Sequence, residues 1–384
     1  MDLALTEEQE QLKASARGLL ESICTKAWID GMEAREEYPY ELHKRMADIG
    51  LFGIGVPEED GGSGGGMIEL AVVGEEVGRI GGSVVMVFAP TAVFGNAVLT
   101  AAGSPEQRAR FLPGMCAGDL RTAFALTEPE AGSDAAAVRT RAVPDGDGWI
   151  VNGSKIFSSG AAAADYLVLT ARTGEPGSRH RGLTVFMVDA HAPGITISGI
   201  PKLGHHAVQS CEIGLVDVPV PGDAVLGAVD GGWAVLVDAL DVERIATAGF
   251  CVGLAQRCTD MALAYALERR QFDRPIASFQ AIGHMLADME TETSAARLLT
   301  WQAAWQKDNG RPASKAASMA KAYATECGTR TATRGMQILG GYSYTKEFEM
   351  ERFYREAKLY EIAGGSTQIQ RNVIARELGI TRLS

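Results

Sequence analysis

Two stretches carry residue types and spacings that could do chemistry. In Val235–Gly249, VLVDALDVERIATAG, a helix puts Leu236, Leu240 and Glu243 at the three- and four-residue spacings of one face, so a carboxylate shares an apolar stripe. Two readings fit. Glu243 is a packing residue that snorkels or pairs with a neighbouring Arg, or it is a general base, its pKa lifted by desolvation so that it can take a proton from a weak carbon acid. Thr127–Asp134, TEPEAGSD, is a hairpin-prone segment of hydroxyl, Pro and Gly residues. Its amides and small side chains suit a planar polar ligand or a phosphate, or it is an ordinary surface loop.

The elements that must position these residues follow from periodicity. Thr6 with Gln9 forms a capping box ahead of an amphipathic helix through Leu20, and helical patterns recur around Tyr40–Ile49, Gly66–Arg79, Val84–Leu99 and Pro105–Ala117. From about Thr122 to Ala228 the runs become short and β-rich: Trp149–Val151, Asp165–Ala171, Leu183–Val188, Ile195–Ser198 and Glu212–Val216. Asn152-Gly153, between Trp149–Val151 and Lys155–Ser158, predicts a hairpin turn. After Gly231-Gly232 long helices resume, at about Trp233–Arg270, Phe279–Asp308, Ala313–Leu339, Glu347–Lys358 and Thr367–Leu378, and predict an antiparallel bundle. The fold class expected is α+β, mostly α: an N-terminal helical domain (1–121), a small antiparallel β domain (122–231) and a C-terminal bundle (232–384).

Bulk properties narrow the function. The 384 residues carry 36 Lys and Arg against 48 Asp and Glu, a net charge of −12, and no basic run suggests a nucleic-acid or membrane footprint. The acidic N-terminus, MDLALTEEQEQ, lacks the apolar core of a signal peptide, which points to the cytoplasm. Six cysteines without CxxC spacing fit reduced, buried thiols, and the adjacent His205 and His206 fit a loop better than a metal site.

The chain resembles the acyl-CoA dehydrogenase family of flavoproteins in LTEPEAGSD (126–134), NGSKIFSSGA (152–161), ERRQFDRPIASFQAI (268–282), MQILGGYSY (336–344) and REAKLYEIAGGSTQIQRNVIARELG (355–379). These stretches follow the family's order, and the helix–β–helix layout agrees with it. The resemblance implies FAD as cofactor. It places Phe124, Leu126, Thr127 and Gly132 along the flavin and Ser133 between flavin and the pantetheine of the thioester. Phe157 stands where the family usually has Trp, and Ser159 where it has a Thr whose hydroxyl reaches flavin N5. Arg269 resembles the arginine that meets the FAD pyrophosphate, with Phe272 and Gln280 beside it. Gln337 and Gly341 resemble residues given to the cofactor of a neighbouring subunit, which implies a homo-oligomer, a tetramer or a hetero-tetramer. Thr367 and Gln368 resemble FAD contacts after the substrate loop. Asp273 departs from the family's usual Gly.

The departure with chemical consequence is Gly364. Many relatives place a catalytic Glu here; this chain reads Ala363-Gly364-Gly365-Ser366, and glycine cannot remove a proton. Relatives resembling isovaleryl-CoA dehydrogenase take the base from an Asp-x-Glu-Arg helix, and this chain has Asp241-Val242-Glu243-Arg244. The resemblance therefore implies α,β-dehydrogenation of an acyl-CoA thioester to the trans-2-enoyl-CoA, with Glu243 as base and the Gly364 amide polarising the thioester carbonyl. Asp241, Arg244 and Gly365 fall on the CoA side, although Asp241 and Arg244 also fit a surface ion pair. Electron-transfer flavoprotein or a similar carrier is the implied acceptor, and a branched or ring-bearing thioester the implied substrate. Two alternatives stay open: a flavin oxidase or monooxygenase on the same fold, and a catalytically silent subunit that completes a partner's FAD site.

Overall fold

Thr6 opens the first helix as the sequence predicts: its hydroxyl accepts from the Gln9 amide while the Gln9 side chain accepts from the Thr6 amide, capping α1 (Glu7–Ile23). The structure is a computed structural model that describes residues 4–175 and 177–380. The outermost ends of the first and third expected domains, 1–3 and 381–384, lie outside the described residues. Six further helices precede the sheet: α2 (Lys26–Arg35), α3 (Tyr40–Asp48), α4 (Met67–Ile80), α5 (Gly82–Ala89), α6 (Asn96–Ala102) and α7 (Pro105–Cys116). The expected helix Val84–Leu99 is instead α5, a π-turn at Pro90–Gly95, and α6. Pro90 has no N–H to donate and its ring crowds the carbonyl four residues back, so the coil widens there. The run from Gly82 to Ala102 is long and apolar enough to cross a membrane, yet 72% of it is buried within the protein, as in a core helix.

The middle of the chain forms β1 (Thr122–Ala125), β2 (Arg141–Asp145), β3 (Gly148–Ser159), β4 (Tyr166–Arg172), β5 (Leu183–Asp189), β6 (Ile195–Gly199), β7 (Ser210–Pro221) and β8 (Val225–Leu226). They make one sheet in the order β6-β7-β3-β2-β4-β5-β8, with β1 also on β4. Two expectations change. The sheet is mixed and not antiparallel: β1 pairs β4 in parallel, because the β2–β3 hairpin between them gives the chain length enough to return in the same direction. Asn152-Gly153 is not a turn but a bulge inside β3, whose hairpin with β2 closes at Gly146-Asp147. Gly153 is needed there for space, since a Cβ would stand 2.5 Å from Thr140 Oγ1.

After the sheet come α8 (Gly232–Glu268), a short hairpin of β9 (Arg270–Gln271) and β10 (Arg274–Pro275), and α9 (Gln280–Asp308), α10 (Ser314–Leu339), α11 (Met350–Ile362) and α12 (Thr367–Glu377). The chain divides into two compact units that do not follow sequence order: residues 1–29, 66–85 and 244–384 form one, residues 30–65 and 86–243 the other.

In the sheet-bearing unit β4 is covered on both faces. Leu167 and Leu169 join one core with Val151, Phe186 and Ile213. Val168 points the opposite way, into a second core with Phe111, Leu112, Val185 and, from the start of α8, Leu236 and Ala239. That contact fixes the N-terminal end of the helix that carries Glu243. In the helical unit α8 lies against α4 with almost no space. A Cβ on Gly253 would stand 1.8 Å from the Glu75 carbonyl oxygen, and one on Gly78 would stand 2.0 Å from that of Phe250. From Glu243 to Ala255 every residue of α8 is buried, the mark of a helix enclosed on all faces.

Candidate active site

The sheet-bearing unit builds one set of site residues around the turn after β1. Glu128 and Ala131 exchange both backbone hydrogen bonds, each 3.1 Å, so TEPEAGSD is the tight turn its composition predicts. A fully buried lysine holds it. Lys155 Nζ donates to Glu128 Oε1 at 2.8 Å and to the Leu126 carbonyl at 3.0 Å, and the Glu128 carboxylate also accepts the Arg139 and Thr140 amides at 2.7 and 2.8 Å. Burial opposes the Lys155 charge and pulls its pKa down to about 8 although Glu128 favours the ammonium. Burial likewise opposes the charge on Glu128, but Lys155 and the amide donors outweigh it and hold the carboxyl below its usual range.

The same turn is joined to the end of β3, where the Ile156 amide donates to the Thr127 carbonyl at 2.9 Å. This brings Phe124, Leu126 and Thr127 together with Phe157 and Ser159. The Phe124 ring stacks on Phe94, centroids 5.0 Å apart, which leaves its backbone and not its ring for a ligand. Phe157 sits on a second bulge of β3 with φ +59° and its ring 63% exposed. A left-handed conformation costs a bulky residue about 1–2 kcal/mol, and such strain collects where a side chain must be presented. Ser159 Oγ lies 3.1 Å from Ser210 Oγ on β7. Gly132 and Ser133 are exposed at the end of the turn.

On α8, Glu243 is buried, 5% exposed. Asp241 and Arg244 are buried as well, 6% and 7% exposed, which corrects the surface ion pair: both side chains lie on covered faces of the helix.

The helical unit holds the remaining candidates. Arg269, Gln271, Gly340, Gly341 and Tyr342 line one cavity of about 510 Å³, with the Arg269 guanidinium 5.5 Å from the centre of the Tyr342 ring. A single chain thus brings Arg269 and Gly341 together, and Gln337 is exposed in the last turn of α10 just before Gly340. Phe272 and Asp273 form the two-residue turn between β9 and β10, at φ +49° and +63°, with Phe272 86% exposed. Both central residues are left-handed, so Asp273 fills a position where glycine would be free of strain. Gln280 is exposed at the start of α9; Thr367 is buried and Gln368 exposed in the first turn of α12.

Between α11 and α12 the glycine loop is held by two side chains that the sequence did not single out. Lys321 of α10, 1% exposed, donates through Nζ to the carbonyl oxygens of Ala363 and, at 2.6 Å, of Gly365. Gln370, fully buried, donates to those of Gly364 at 3.2 Å and Gly365 at 2.7 Å. Gly364 and Gly365 take φ +61° and +82°, the conformations that let three successive carbonyls turn inward. Lys155, Glu128 and Lys321 were missed because charged residues default to the surface; for Lys321 the small residues around it, AASMAKAYA, were the available signal of a tightly packed helix face.

The family descriptions for the N-terminal, middle and C-terminal domains of acyl-CoA dehydrogenases match residues 6–119, 123–218 and 230–379. The Probable acyl-CoA dehydrogenase YngJ of Bacillus subtilis is 40% identical over 380 residues, 98% of this chain and all of that one. The caffeyl-CoA reductase–Etf complex subunit CarC of Acetobacterium woodii is 38% identical over 372 residues, 96% of this chain and 98% of that one. Among solved structures, butyryl-CoA dehydrogenase from Megasphaera elsdenii superposes with a TM-score of 0.95 at 31% identity, covering 98% of this chain and all of that one. The chain belongs to the acyl-CoA dehydrogenase family of FAD-dependent oxidoreductases.

Proposed function

We propose that the protein removes the α and β hydrogens of an acyl-CoA thioester to give the trans-2-enoyl-CoA, with Glu243 as the base, in the manner of isovaleryl-CoA dehydrogenase-type relatives. One observation carries this reading: the loop where many relatives hold the base contains no acid, whereas α8 buries a carboxylate at Glu243. The residues present fit FAD. The turn 126–133, the aromatic wall of Phe157 and the Ser159 hydroxyl suit the flavin ring, and the cavity of Arg269 and Gly341 suits a pyrophosphate, with a guanidinium for the anion and glycines for close approach. We assign Arg269, Phe272, Gln280, Gln337 and Gly341 to cofactor binding, and the resemblance of Gln337 and Gly341 to residues given to the cofactor of a neighbouring subunit is the ground for proposing a homo-oligomer. Thr367 and Gln368 complete the set. The proposed domain boundaries fall near residues 121 and 231, at the junctions of the stretches that match the three family descriptions.

FAD, when bound, would supply a two-electron acceptor for the β hydrogen and its electron pair. Glu243 takes the α proton, and its burial keeps water from competing for the carboxylate. The Gly364 N–H donates to the thioester carbonyl oxygen as negative charge grows there, so no side chain is needed at that position. Ser133, Asp241, Arg244 and Gly365 line the thioester and pantetheine path. Electron-transfer flavoprotein is the proposed acceptor, in line with the Etf complex of the A. woodii relative.

The test is anaerobic titration of the purified protein with a panel of straight, branched and cyclic acyl-CoAs. Bleaching of the flavin by one of them, with slow reoxidation in air, supports the reading. Rapid reoxidation identifies an oxidase, and FAD bound without bleaching by any thioester identifies a silent subunit.

A further inference from the structure

Lys321 sits where it controls the direction of one particular N–H. In a trans peptide the carbonyl and the amide hydrogen point in opposite directions. The carbonyl of Ala363 and the N–H of Gly364 belong to one such peptide, and that carbonyl accepts from the Lys321 ammonium. Holding the oxygen toward α10 turns the Gly364 N–H away from it. The following peptide is set in the same way, its Gly364 carbonyl held by Gln370 at 3.2 Å. Among the hydrogen bonds of the described residues, none is donated by the Gly364 or Gly365 amides, whereas the carbonyls of Ala363, Gly364 and Gly365 all accept from these two buried side chains. A cation on the carbonyl side also polarises the peptide, and hydrogen bonds in sequence strengthen one another in a low-dielectric interior.

We propose that Lys321 is a positioning residue for the dehydrogenation: by gripping the Ala363 carbonyl it aims and polarises the Gly364 N–H that stabilises the thioester oxyanion. The proposal rests on the reading of Gly364 as the oxyanion donor. A packing lysine would affect folding and leave the electronics of the bound thioester alone; a positioning lysine affects the thioester carbonyl itself.

The experiment compares the FAD-loaded wild type with Lys321→Met, which keeps the aliphatic stem and loses the ammonium. The probe is a trans-2-enoyl-CoA labelled with carbon-13 at C1, of the chain length whose saturated counterpart bleaches the wild-type flavin fastest; its carbonyl stretch is read by difference infrared spectroscopy. The wild type is expected to shift that band to lower frequency than in water. Lys321→Met is expected to lose at least half of the shift and at least tenfold in kcat, with KM within threefold and flavin content unchanged. A full shift and a normal kcat in Lys321→Met overturn the role of Lys321 while leaving Gly364 as donor. An unshifted band in the wild type overturns the donor reading and the proposal with it. Should Lys321→Met not retain flavin, Lys321→Gln, with a shorter neutral donor, is read by the same criteria.

Discussion

The two loops that carry the site are held by buried lysines in opposite ways. In the turn at 126–131, Lys155 meets a carboxylate, and Glu128 in turn gathers two backbone amides, so one ion pair satisfies five polar groups. In the loop at 363–366, Lys321 directs its ammonium to main-chain oxygens, with Gln370 taking the third carbonyl. The first arrangement fixes a shape: removing either charge strands the other inside the protein. The second fixes a direction, because each carbonyl it holds has an N–H on the far side of the same peptide. Under the proposal made for Lys321, a structural anchor and a catalytic aim use the same residue type, distinguished by what the ammonium touches.

That contrast can be broken most severely at Lys155. Lys155→Met leaves the Glu128 carboxylate buried without its cation and is expected to cost about 3–5 kcal/mol in urea unfolding, together with flavin. The double variant Lys155→Met/Glu128→Leu should recover more than half of that loss. Lys321→Met should do the reverse, sparing stability and flavin while slowing catalysis; equal stability losses in the two lysine variants would erase the distinction.

Acid probes the sheet-bearing unit by another route. Burial, reinforced by the nearby Arg121 and Lys44 charges, pushes the His43 pKa down to about 4, and its Nδ1 pairs with the Tyr38 hydroxyl at 2.8 Å. The folded value lies below the unfolded value of 6.5. The unfolded chain therefore binds the extra proton first, and stability present above about pH 6.5 is lost as pH falls toward 4. About 2–3 kcal/mol should disappear between pH 7 and 4.5. His43→Asn should lose less over the same interval; parallel acid losses in both proteins would place the effect elsewhere.

A smaller effect sharpens the contrast from the cofactor's side. Arg269 is exposed, so Arg269→Ala should leave unfolding unchanged while weakening flavin retention about tenfold, the worth of a charge-assisted hydrogen bond. Flavin-to-protein absorbance ratios after gel filtration measure it. Undiminished flavin would remove Arg269 from the cofactor site.

Where local chemistry decides the outcome, the sequence was legible. The Thr6–Gln9 capping box, the turn in TEPEAGSD and the long helices after Gly232 are all present, because caps, tight turns and apolar periodicity act over a few residues. Tertiary constraint overrode the local signal at Asn152-Gly153. That pair favours a turn, but Gly153 is required for space beside Thr140, and the chain continues straight through a bulge. The burial of Glu243 followed from its leucine stripe, yet that of Asp241 and Arg244 did not, since charged residues default to the surface and Asp238, one turn before Asp241, is exposed. Lys155 and Lys321 were least legible of all. Their roles depend on partners between 27 and 44 residues away, and the neighbouring sequence names none of those partners, although the small residues around Lys321 signal a tightly packed helix face.

The central claim, that a carboxylate on α8 replaces the one absent from the glycine loop, is tested most directly by the rate of flavin reduction in Glu243→Gln. Mixed anaerobically with the best acyl-CoA in a stopped-flow instrument, the variant should hold flavin and thioester as the wild type does and reduce its flavin about 10²–10⁴-fold more slowly, the range expected when a general base is lost. Reduction at near the wild-type rate would show that the proton leaves to another group.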